Sequence, residues 1–332
     1  MSSNQQARTI VVLGATGNQG RGVVRALLQM ASPSFNVRAI TREVESPAAQ
    51  GLLADFQSSG RLSLASANIY DVESLRRAFE NAYGVFAVTY NRLSGQTIDT
   101  EDQMRHELAA GSNIVDAADH CKVQHFVMSS LPSLTLSSSG VFTKVYHFDY
   151  KHDIEQLARK RLPVVTALLP GLFYTNMLWP QYCRREEDGS VRFCAPVSGD
   201  TLADWVDPGH DIGVFASAAF AAGPQKTGAK TYPVVSPKLR FVEFSEIFSK
   251  VTSQPSRFES TTLEEWGATV AATVGKGYEE DIRQMMQWIA VAPREKICYG
   301  TMDPTNDTSW EDLGVRASTF EEWLARSKWQ AP

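Results

Sequence analysis

The stretch RTIVVLGATGNQG, residues 8–20, decides the fold of this chain. Its first half, residues 8–13, is an apolar run rich in β-branched side chains, which is typical of a buried parallel strand. Three glycines follow at positions 14, 17 and 20, and apolar residues recur with a helical period from Val23 onward. The order of strand, glycine loop and helix predicts a βα turn of the kind that binds the pyrophosphate of a dinucleotide.

Each glycine of the G-x-x-G-x-x-G spacing has its own expected role. Gly14 allows the tight turn that leaves the strand, Gly17 lets the backbone approach a phosphate, and Gly20 lets the helix pack close to the sheet. Between them, Thr16, Asn18 and Gln19 are candidate contacts of the cofactor. The alternative interpretation is a tight turn that serves only packing.

Beyond the loop, apolar strands and amphipathic helices alternate as far as residue 168. Further strands are expected at 37–40, 62–65, 84–88, 125–128 and 164–168, separated by helices at 48–56, 72–79, 101–119 and 147–160. This alternation predicts an α/β protein with a doubly wound parallel sheet, the Rossmann class.

After residue 170 the alternation ends, and the sequence predicts a change of domain. We expect residues 1–170 to form the dinucleotide-binding domain and residues 171–332 to form mainly a smaller C-terminal α+β lobe that binds the substrate. Short strands at 191–193 and 232–235 and helices near 209–221, 241–251, 263–273, 278–290 and 319–327 are assigned to this lobe, although the chain can cross back between the two.

The composition excludes several classes of protein. A net charge of −5 without a cluster of Lys and Arg disfavours direct nucleic-acid binding. No apolar run approaches the ~18 residues of a membrane span. The four cysteines, at 121, 183, 194 and 298, match no zinc pattern, so no metal is expected. Because the first eight residues also lack an apolar signal core, we expect a cytoplasmic protein.

The end of the second predicted strand indicates the form of the cofactor. An acidic residue there would favour NAD by bonding the ribose 2′-hydroxyl. This chain has Thr41 and Arg42 instead. A guanidinium can pair with a 2′-phosphate, so NADP(H) is the expected cofactor. The alternative is an exposed loop arginine, and Glu43 and Glu45 lie close by.

Taken in chain order, the motifs resemble those of the NmrA-like family of atypical short-chain dehydrogenases. The matching stretches are GATGNQG (14–20), TR (41–42), VTYN (88–91), HFVMSS (125–130), HFDYK (147–151) and LPGLFYTN (169–176). The resemblance covers nearly the whole chain, and the His-Phe-Asp-x-Lys element is its most specific part. It implies a Rossmann fold with NADP(H) in a cleft between two lobes.

The resemblance also implies which residues line that cleft. The adenine and ribose path would be lined by Asn68, Ile69, Thr89, Tyr90 and Asn91. The nicotinamide would be bordered by Pro170, Gly171, Phe173, Tyr174 and Asn176. Apart from the resemblance, Ser129 is a candidate cofactor contact or proton donor near the cleft.

The helix at 147–160 carries the candidate catalytic residues. Ordinary short-chain dehydrogenases place Tyr and Lys four residues apart, where the lysine lowers the pKa of the tyrosine. Here Lys151 has His147 at that position, while Tyr146 and Tyr150 face away. Lys151 can bind the nicotinamide ribose or donate a proton, and His147 can act as an acid or serve only as a hydrogen-bonded helix residue.

Two functions follow as hypotheses. The first is an NADPH-dependent oxidoreductase that reduces a C=N, C=C or C=O bond of a bulky, largely apolar molecule. By family context it would act in secondary metabolism, where reduction can be coupled to ring formation. The alternative is a non-catalytic redox sensor that binds NADP(H) and regulates a transcription factor. A nicotinamide-binding structural subunit is a third, weaker hypothesis. The partners expected besides the substrate are a second copy of the chain or a regulatory protein.

Overall fold

The computed structural model describes residues 7–93 and 95–332 of the chain. As far as residue 170, strands and helices follow the predicted order, with one further short helix at Leu134–Ser137 that was not predicted. The strands are β1 Arg8–Val12, β2 Phe35–Thr41, β3 Leu62–Ser66, β4 Gly84–Ala87, β5 His125–Ser129 and β6 Val165–Pro170. The helices are α1 Asn18–Gln29, α2 Pro47–Phe56, α3 Val72–Phe79, α4 His106–His120, α5 Leu134–Ser137 and α6 Tyr146–Arg161. A 3-10 turn at Glu101–Arg105 precedes α4.

The remaining half contains shorter strands and seven further helices within the described residues. The strands are β7 Leu172–Phe173, β8 Cys183–Arg185, β9 Val191–Ala195, β10 Leu202–Ala203, β11 Trp205–Val206, β12 Thr231–Val234, β13 Leu239–Arg240 and β14 Ser256–Ser260. The helices are α7 Asp211–Ala222, α8 Pro224–Thr227, α9 Glu243–Thr252, α10 Leu263–Val274, α11 Glu279–Val291, α12 Ser309–Leu313 and α13 Phe320–Ser327.

The main sheet has the order β12-β6-β5-β4-β1-β2-β3. Every neighbouring pair in it is parallel. The strand order reverses between β1 and β4, which is where ligands bind in open α/β sheets. The predicted doubly wound parallel sheet is therefore confirmed, and its switch point lies beside the glycine loop that follows β1.

One expectation about the C-terminal half is wrong. The strand predicted at 232–235 is β12, which pairs with β6 as the edge strand of the main sheet, not as part of the smaller lobe. The edge position accommodates Pro233, which has no N–H to donate to a further strand. By contrast, β8, β9 and β14 form a separate three-stranded sheet of the C-terminal lobe.

Helix α7 also returns to the N-terminal half, where it packs directly on α1. A Cβ atom on Gly213 of α7 would lie 2.3 Å from the carbonyl oxygen of Gly22 in α1, so no larger residue fits at this crossing. The two backbones therefore approach as closely as glycine allows. Two apolar clusters cover the faces of the sheet, and a third, rich in aromatic rings, joins residues between positions 98 and 150 to the C-terminal half of the chain.

None of the helices in the described part of the chain combines the length and the apolar character needed to cross a bilayer.

Candidate active site

The glycine loop joins β1 to α1 in a conformation that its glycines require. Gly14 has φ +62°, in the left-handed region, and its carbonyl accepts a hydrogen bond from the Gly17 N–H at 2.9 Å. A Cβ on Gly20 would lie 2.2 Å from the Gly14 carbonyl oxygen, so α1 could not start where it does with any other residue at position 20. The predicted roles of Gly14 in the turn and of Gly20 in packing agree with this geometry.

The first turn of α1 is left open for an anion. Gly17 is the N-cap and supplies no side chain, and the turn contains no acidic residue. The unpaired N–H groups of the helix start and the helix dipole thus face outward without a built-in counter-charge. Of the neighbouring candidates, Asn18 is exposed, and Thr16 and Gln19 are half-buried.

The carboxyl end of β2 presents an unengaged arginine. Arg42 is exposed, and its guanidinium makes no ion pair with the residues that the structure describes. Its backbone carbonyl accepts a hydrogen bond from the Ser66 hydroxyl at 2.9 Å, which fixes the main chain there. The Thr41 hydroxyl donates to the carbonyl of Glu43 at 3.3 Å and so closes the same turn. The guanidinium is therefore free to meet a phosphate.

The neighbouring strand ends hold the other residues that were placed on the adenine and ribose path. Asn68 follows β3, is exposed, and accepts a hydrogen bond from the Tyr70 N–H at 3.1 Å. The Ile69 carbonyl accepts from the Asn113 side chain at 3.0 Å. After β4, Tyr90 is 61% exposed, and the Asn91 carbonyl lies 3.1 Å from Nε2 of His106.

Lys151 of α6 is held by a carboxylate that the sequence analysis missed. Glu107 of α4 is 1% exposed, and one of its oxygens accepts hydrogen bonds from the Lys151 ammonium and from the Thr89 hydroxyl, the latter at 2.5 Å. The Thr89 side chain is thereby committed to Glu107. A sequence signal existed, because Glu107 lies three residues from both Met104 and Ala110, which are buried.

His147 also has a partner that the sequence analysis missed, Asp281 of α11. The Nδ1 atom of His147 lies 2.5 Å from Oδ1 of Asp281, and the His147 backbone N–H donates to Oδ2 at 3.1 Å. Asp281 is fully buried. Because 134 residues separate the pair in the sequence, local spacing carries no sign of this contact.

The two tyrosines of α6 are engaged away from Lys151. The Tyr146 hydroxyl donates to Glu101 at 2.7 Å, and burial together with this contact raises the pKa of Tyr146. Tyr150 stacks on Tyr146 with ring centroids 5.6 Å apart, and burial raises its pKa as well. A low-pKa tyrosine acid of the ordinary short-chain dehydrogenase type is therefore not built from either residue.

The segment after β6 shows where one predicted contact is wrong. Tyr174 is 0% exposed, its hydroxyl donates to Ser236 at 2.9 Å, and its ring stacks on Trp205. It belongs to the aromatic core of the C-terminal lobe and presents no surface to a cofactor. Phe173 and Asn176 remain half-buried, whereas Pro170 and Gly171 are buried where β6 ends.

Ser129 needs a similar correction. It is the last residue of β5 and is 1% exposed. With so little surface, its side chain cannot be a substantial contact of a bound molecule.

Asp204 is a further buried carboxyl group beside the same segment. A Cβ on Gly171 would lie 2.7 Å from the Asp204 backbone, so the two chains touch. Oδ2 of Asp204 accepts from the Tyr299 N–H at 3.0 Å, while Oδ1 has no hydrogen-bond partner among the described residues. Burial raises the pKa of Asp204 to about 6. Tyr299 itself lies in a run of positive φ angles, 51°, 60° and 75° from Cys298 to Gly300.

These features define a class of protein before any comparison is made. A parallel sheet with an open glycine-rich βα turn at its switch point is the dinucleotide-binding architecture of Rossmann proteins. Within that class, the chain belongs to the NmrA-like family, whose model matches residues 6–324.

Individual relatives and structures agree with this assignment. An NmrA-like family domain-containing oxidoreductase, FrzB, from a Cladobotryum species is 32% identical over 78% of this chain and 77% of its own length. NmrA, described as a negative transcriptional regulator in complex with NADP, superposes with a TM-score of 0.70 at 22% identity over 98% of this chain and 93% of its own. A Citrobacter triphenylmethane reductase complexed with NADP(H) gives a TM-score of 0.69 at 18% identity, over 96% and 99% of the two chains.

Proposed function

We propose that the chain is an NADP(H)-dependent oxidoreductase that reduces a C=N, C=C or C=O bond of a bulky, largely apolar molecule. The observation that carries the proposal is a continuous line of contacts from the cofactor loop to the candidate catalytic helix. A Cβ on Gly14 would lie 2.9 Å from the Val88 side chain, and Thr89, the next residue, shares the Glu107 carboxylate with Lys151. The lysine is therefore anchored next to the switch point of the sheet.

The residues present fit a phosphorylated dinucleotide. The open first turn of α1 suits the pyrophosphate, since N–H groups and the helix dipole both favour an anion there. The exposed guanidinium of Arg42 suits a 2′-phosphate, since it has no competing carboxylate among the described residues. The relative FrzB is named an oxidoreductase, and the two solved structures were determined with NADP or NADP(H) bound, which supports the same choice.

When bound, NADPH supplies a hydride from its nicotinamide ring. The role of Lys151 is to hold the hydroxyl groups of the nicotinamide ribose with its ammonium, while the buried Glu107 fixes the position of that ammonium. His147 lies one helical turn before Lys151 on the same face of α6, where it can serve the reacting end of the substrate.

The surface near the strand ends supports an apolar substrate. Tyr90 and Leu178 are more than half exposed, and the Arg92 guanidinium lies over the Trp179 ring at 4.2 Å from its centroid. Aromatic and aliphatic groups of this kind bind flat or bulky organic molecules by excluding water. The reductase among the structural neighbours is named for triphenylmethane, itself a bulky apolar skeleton.

The test is turnover with a stability-matched lysine variant. The purified chain is mixed with NADPH and a panel of imines, enones and ketones, and NADPH loss, product mass and product structure are followed. Product structure also separates simple reduction from reduction with ring closure. Lys151→Met alone would leave Glu107 buried without a counter-charge, so it is combined with Glu107→Gln.

We expect the double variant to lose at least about 10²-fold in kcat/KM. Glu107→Gln alone reports the effect of the background, and Lys160→Met, near the far end of α6, should retain activity. Absence of turnover by the wild-type chain across the panel would rule out the proposal.

The second candidate is an NADP(H)-binding regulator, and one surface favours it. A groove of about 490 Å³ lies along β12 and is lined by apolar side chains such as Phe215, Val235 and Trp310 together with the charged residues Asp307 and Arg316. Trp310 is 67% exposed, which is unusual for so large an apolar residue. A chain without turnover that binds a protein partner with an affinity that differs between NADP⁺ and NADPH would establish this alternative.

A further inference from the structure

The first turns of α6 and α11 meet at one carboxylate, that of Asp281. Its two oxygens contact His147 at two points, the backbone N–H at 3.1 Å and the ring atom Nδ1 at 2.5 Å. Asp281 has no solvent exposure, and α11 belongs to the C-terminal half of the chain, whereas α6 follows β5 of the main sheet. The contact thus fixes both the backbone and the ring orientation of His147 from the opposite half of the chain.

This geometry determines where the ring hydrogen lies. The Nδ1 atom faces a carboxylate oxygen at 2.5 Å, and a carboxylate accepts hydrogen bonds, so the arrangement suits an imidazole with its hydrogen on Nδ1. Nδ1 therefore carries a hydrogen whether the imidazole is neutral or charged. Among the residues that the structure describes, Asp281 has no Lys or Arg partner, so the imidazolium is its available counter-charge.

The other ring nitrogen is left open. Nε2 of His147 makes no hydrogen bond to the residues that the structure describes. The atom is not buried, and 14% of the His147 side chain is exposed to solvent. In the imidazolium this nitrogen is a proton donor. Lys151 lies four residues further along the same face of α6, so the open nitrogen and the anchored ammonium share one side of the helix.

Neighbouring phenols are less suited to give up a proton. The Tyr146 hydroxyl already donates to Glu101 at 2.7 Å, and burial raises the pKa of both Tyr146 and Tyr150. The two rings stack on each other, with centroids 5.6 Å apart. Because the Lys151 ammonium is held by Glu107, His147 is the donor that this helix offers.

We propose that Asp281 is a positioning residue that holds His147 as the proton donor of the reaction; the proposal rests on the reductase function proposed above. When the hydride of NADPH forms the new C–H bond, the π electron pair of the substrate double bond moves to its other atom. That atom takes the proton from Nε2, and the electron pair of the broken N–H bond stays on the ring. The neutral imidazole keeps its hydrogen on Nδ1 through Asp281 and takes the next proton from water at Nε2.

The first test needs neither substrate nor cofactor. Heteronuclear NMR of chain labelled at histidine identifies which ring nitrogen of His147 carries the hydrogen in the neutral form, with the signal assigned by its loss in His147→Gln. We expect the hydrogen on Nδ1 in the wild type and a mixture of the two tautomers in Asp281→Asn. A wild-type ring with its hydrogen on Nε2 would overturn the proposal, even if Asp281→Asn failed to fold.

The second test separates positioning from stability. With a substrate from the turnover panel, Asp281→Asn should lower kcat by about 10²- to 10³-fold while the Kd for NADPH stays within about twofold. The matched control is Asp149→Asn, which removes a carboxylate from the same end of α6, where it accepts from Ser133 at 2.8 Å and does not contact the imidazole. It should lower the Tm and leave kcat near the wild-type value.

The results distinguish the two proposals. A kcat for Asp281→Asn within about threefold of wild type, in a chain that does turn over, would overturn the positioning role and leave the reductase function intact. Failure of the wild-type chain to reduce any substrate would overturn the reductase function and the donor role with it.

Discussion

The glycine loop and the Lys151 site lie side by side, yet they are built in opposite ways. The loop is thirteen consecutive residues, 8–20, whose shape follows from backbone limits at Gly14 and Gly20. The Lys151 site is assembled from residues far apart in the chain, including Thr89, Glu107 and Asp281, and is held by side-chain contacts between buried charges. The shape of the loop is thus a local property of the sequence, whereas the geometry around Lys151 depends on the whole fold.

The largest loss of stability and of NADPH binding should come from a substitution in the glycine loop. Gly20→Val would place side-chain atoms into the Gly14 carbonyl, since even a Cβ there lies 2.2 Å from that oxygen. We expect the variant to lose NADPH binding and to unfold, at a cost of about 3 kcal/mol or more. Calorimetry and cofactor titration measure both losses.

Gly51→Ala is the matched control for the loop, because position 51 lies in α2 with no atom within 4 Å of an added Cβ. It should be neutral or slightly stabilising, by up to about 1 kcal/mol. Equal losses of stability in the two variants would show that the loop does not depend on the close approach of Gly20 to the Gly14 carbonyl.

A second contact between distant parts of the chain, that of Asp204 with Tyr299, should affect the pH dependence of stability. Burial raises its pKa to about 6, above the ordinary value of 3.8, so the unfolded chain loses this proton first as the pH rises. The contribution of Asp204 to stability is therefore highest below pH 4 and falls by about 3 kcal/mol in total as the pH rises to about 6. Asp204→Asn should remove that decline, and its Oδ1 can still accept the Tyr299 N–H.

The free energy of unfolding of Asp204→Asn has to be compared with that of the wild type at each pH, because His125 changes the stability of both proteins in the opposite direction. Burial lowers the pKa of His125 to about 4, which makes stability increase over a similar pH range. We expect the free energy of unfolding of Asp204→Asn, relative to wild type, to rise between pH 4 and pH 7 in urea titrations. A difference that does not change with pH would show that the carboxyl group is not titrating in the folded chain.

A smaller and more selective effect is expected at Arg42. Arg42→Ala should weaken NADPH binding by about 10- to 100-fold, the loss of a charge-assisted contact with the 2′-phosphate, and leave NADH binding within about twofold. Isothermal titration with both cofactors measures the ratio, and Arg77→Ala, at an exposed position on α3, serves as the control. Equal weakening of both cofactors would refute the role of Arg42.

The sequence predicted the local elements of the fold but not the contacts between residues far apart in the chain. The strand, glycine loop and helix were predictable because each is defined by contiguous periodicity, and the alternation that follows predicted the succession of strands and helices as far as β6. Glu107 and Asp281 were not predicted, because an acidic residue in the first turn of a helix is usually exposed and favours the helix dipole. The apolar residues at positions 104 and 110 indicate that Glu107 faces the core, but only the fold shows its pairing with Lys151 and the pairing of Asp281 with His147.

The errors have equally specific physical causes. Tyr174 was placed at the cofactor because it lies in a motif beside the cleft, but its ring points into the aromatic core against Trp205. The strand predicted at 232–235 was placed in the smaller lobe because it lies beyond residue 170, where the regular alternation ends, and its distant pairing with β6 has no local signature.

The return of β12 and α7 to the first half of the molecule has a practical consequence for dividing the protein. A fragment ending at residue 170 would match the expected dinucleotide-binding domain in sequence, yet it would leave the backbone of β6 unpaired along one edge and uncover the glycine surface of α1 at Gly22. Such an edge recruits other strands, so the fragment should aggregate when it is expressed. A cut that respects the architecture has to keep residues 211–234 with the first half, which makes insertion or circular permutation, and not truncation, the way to separate the two lobes.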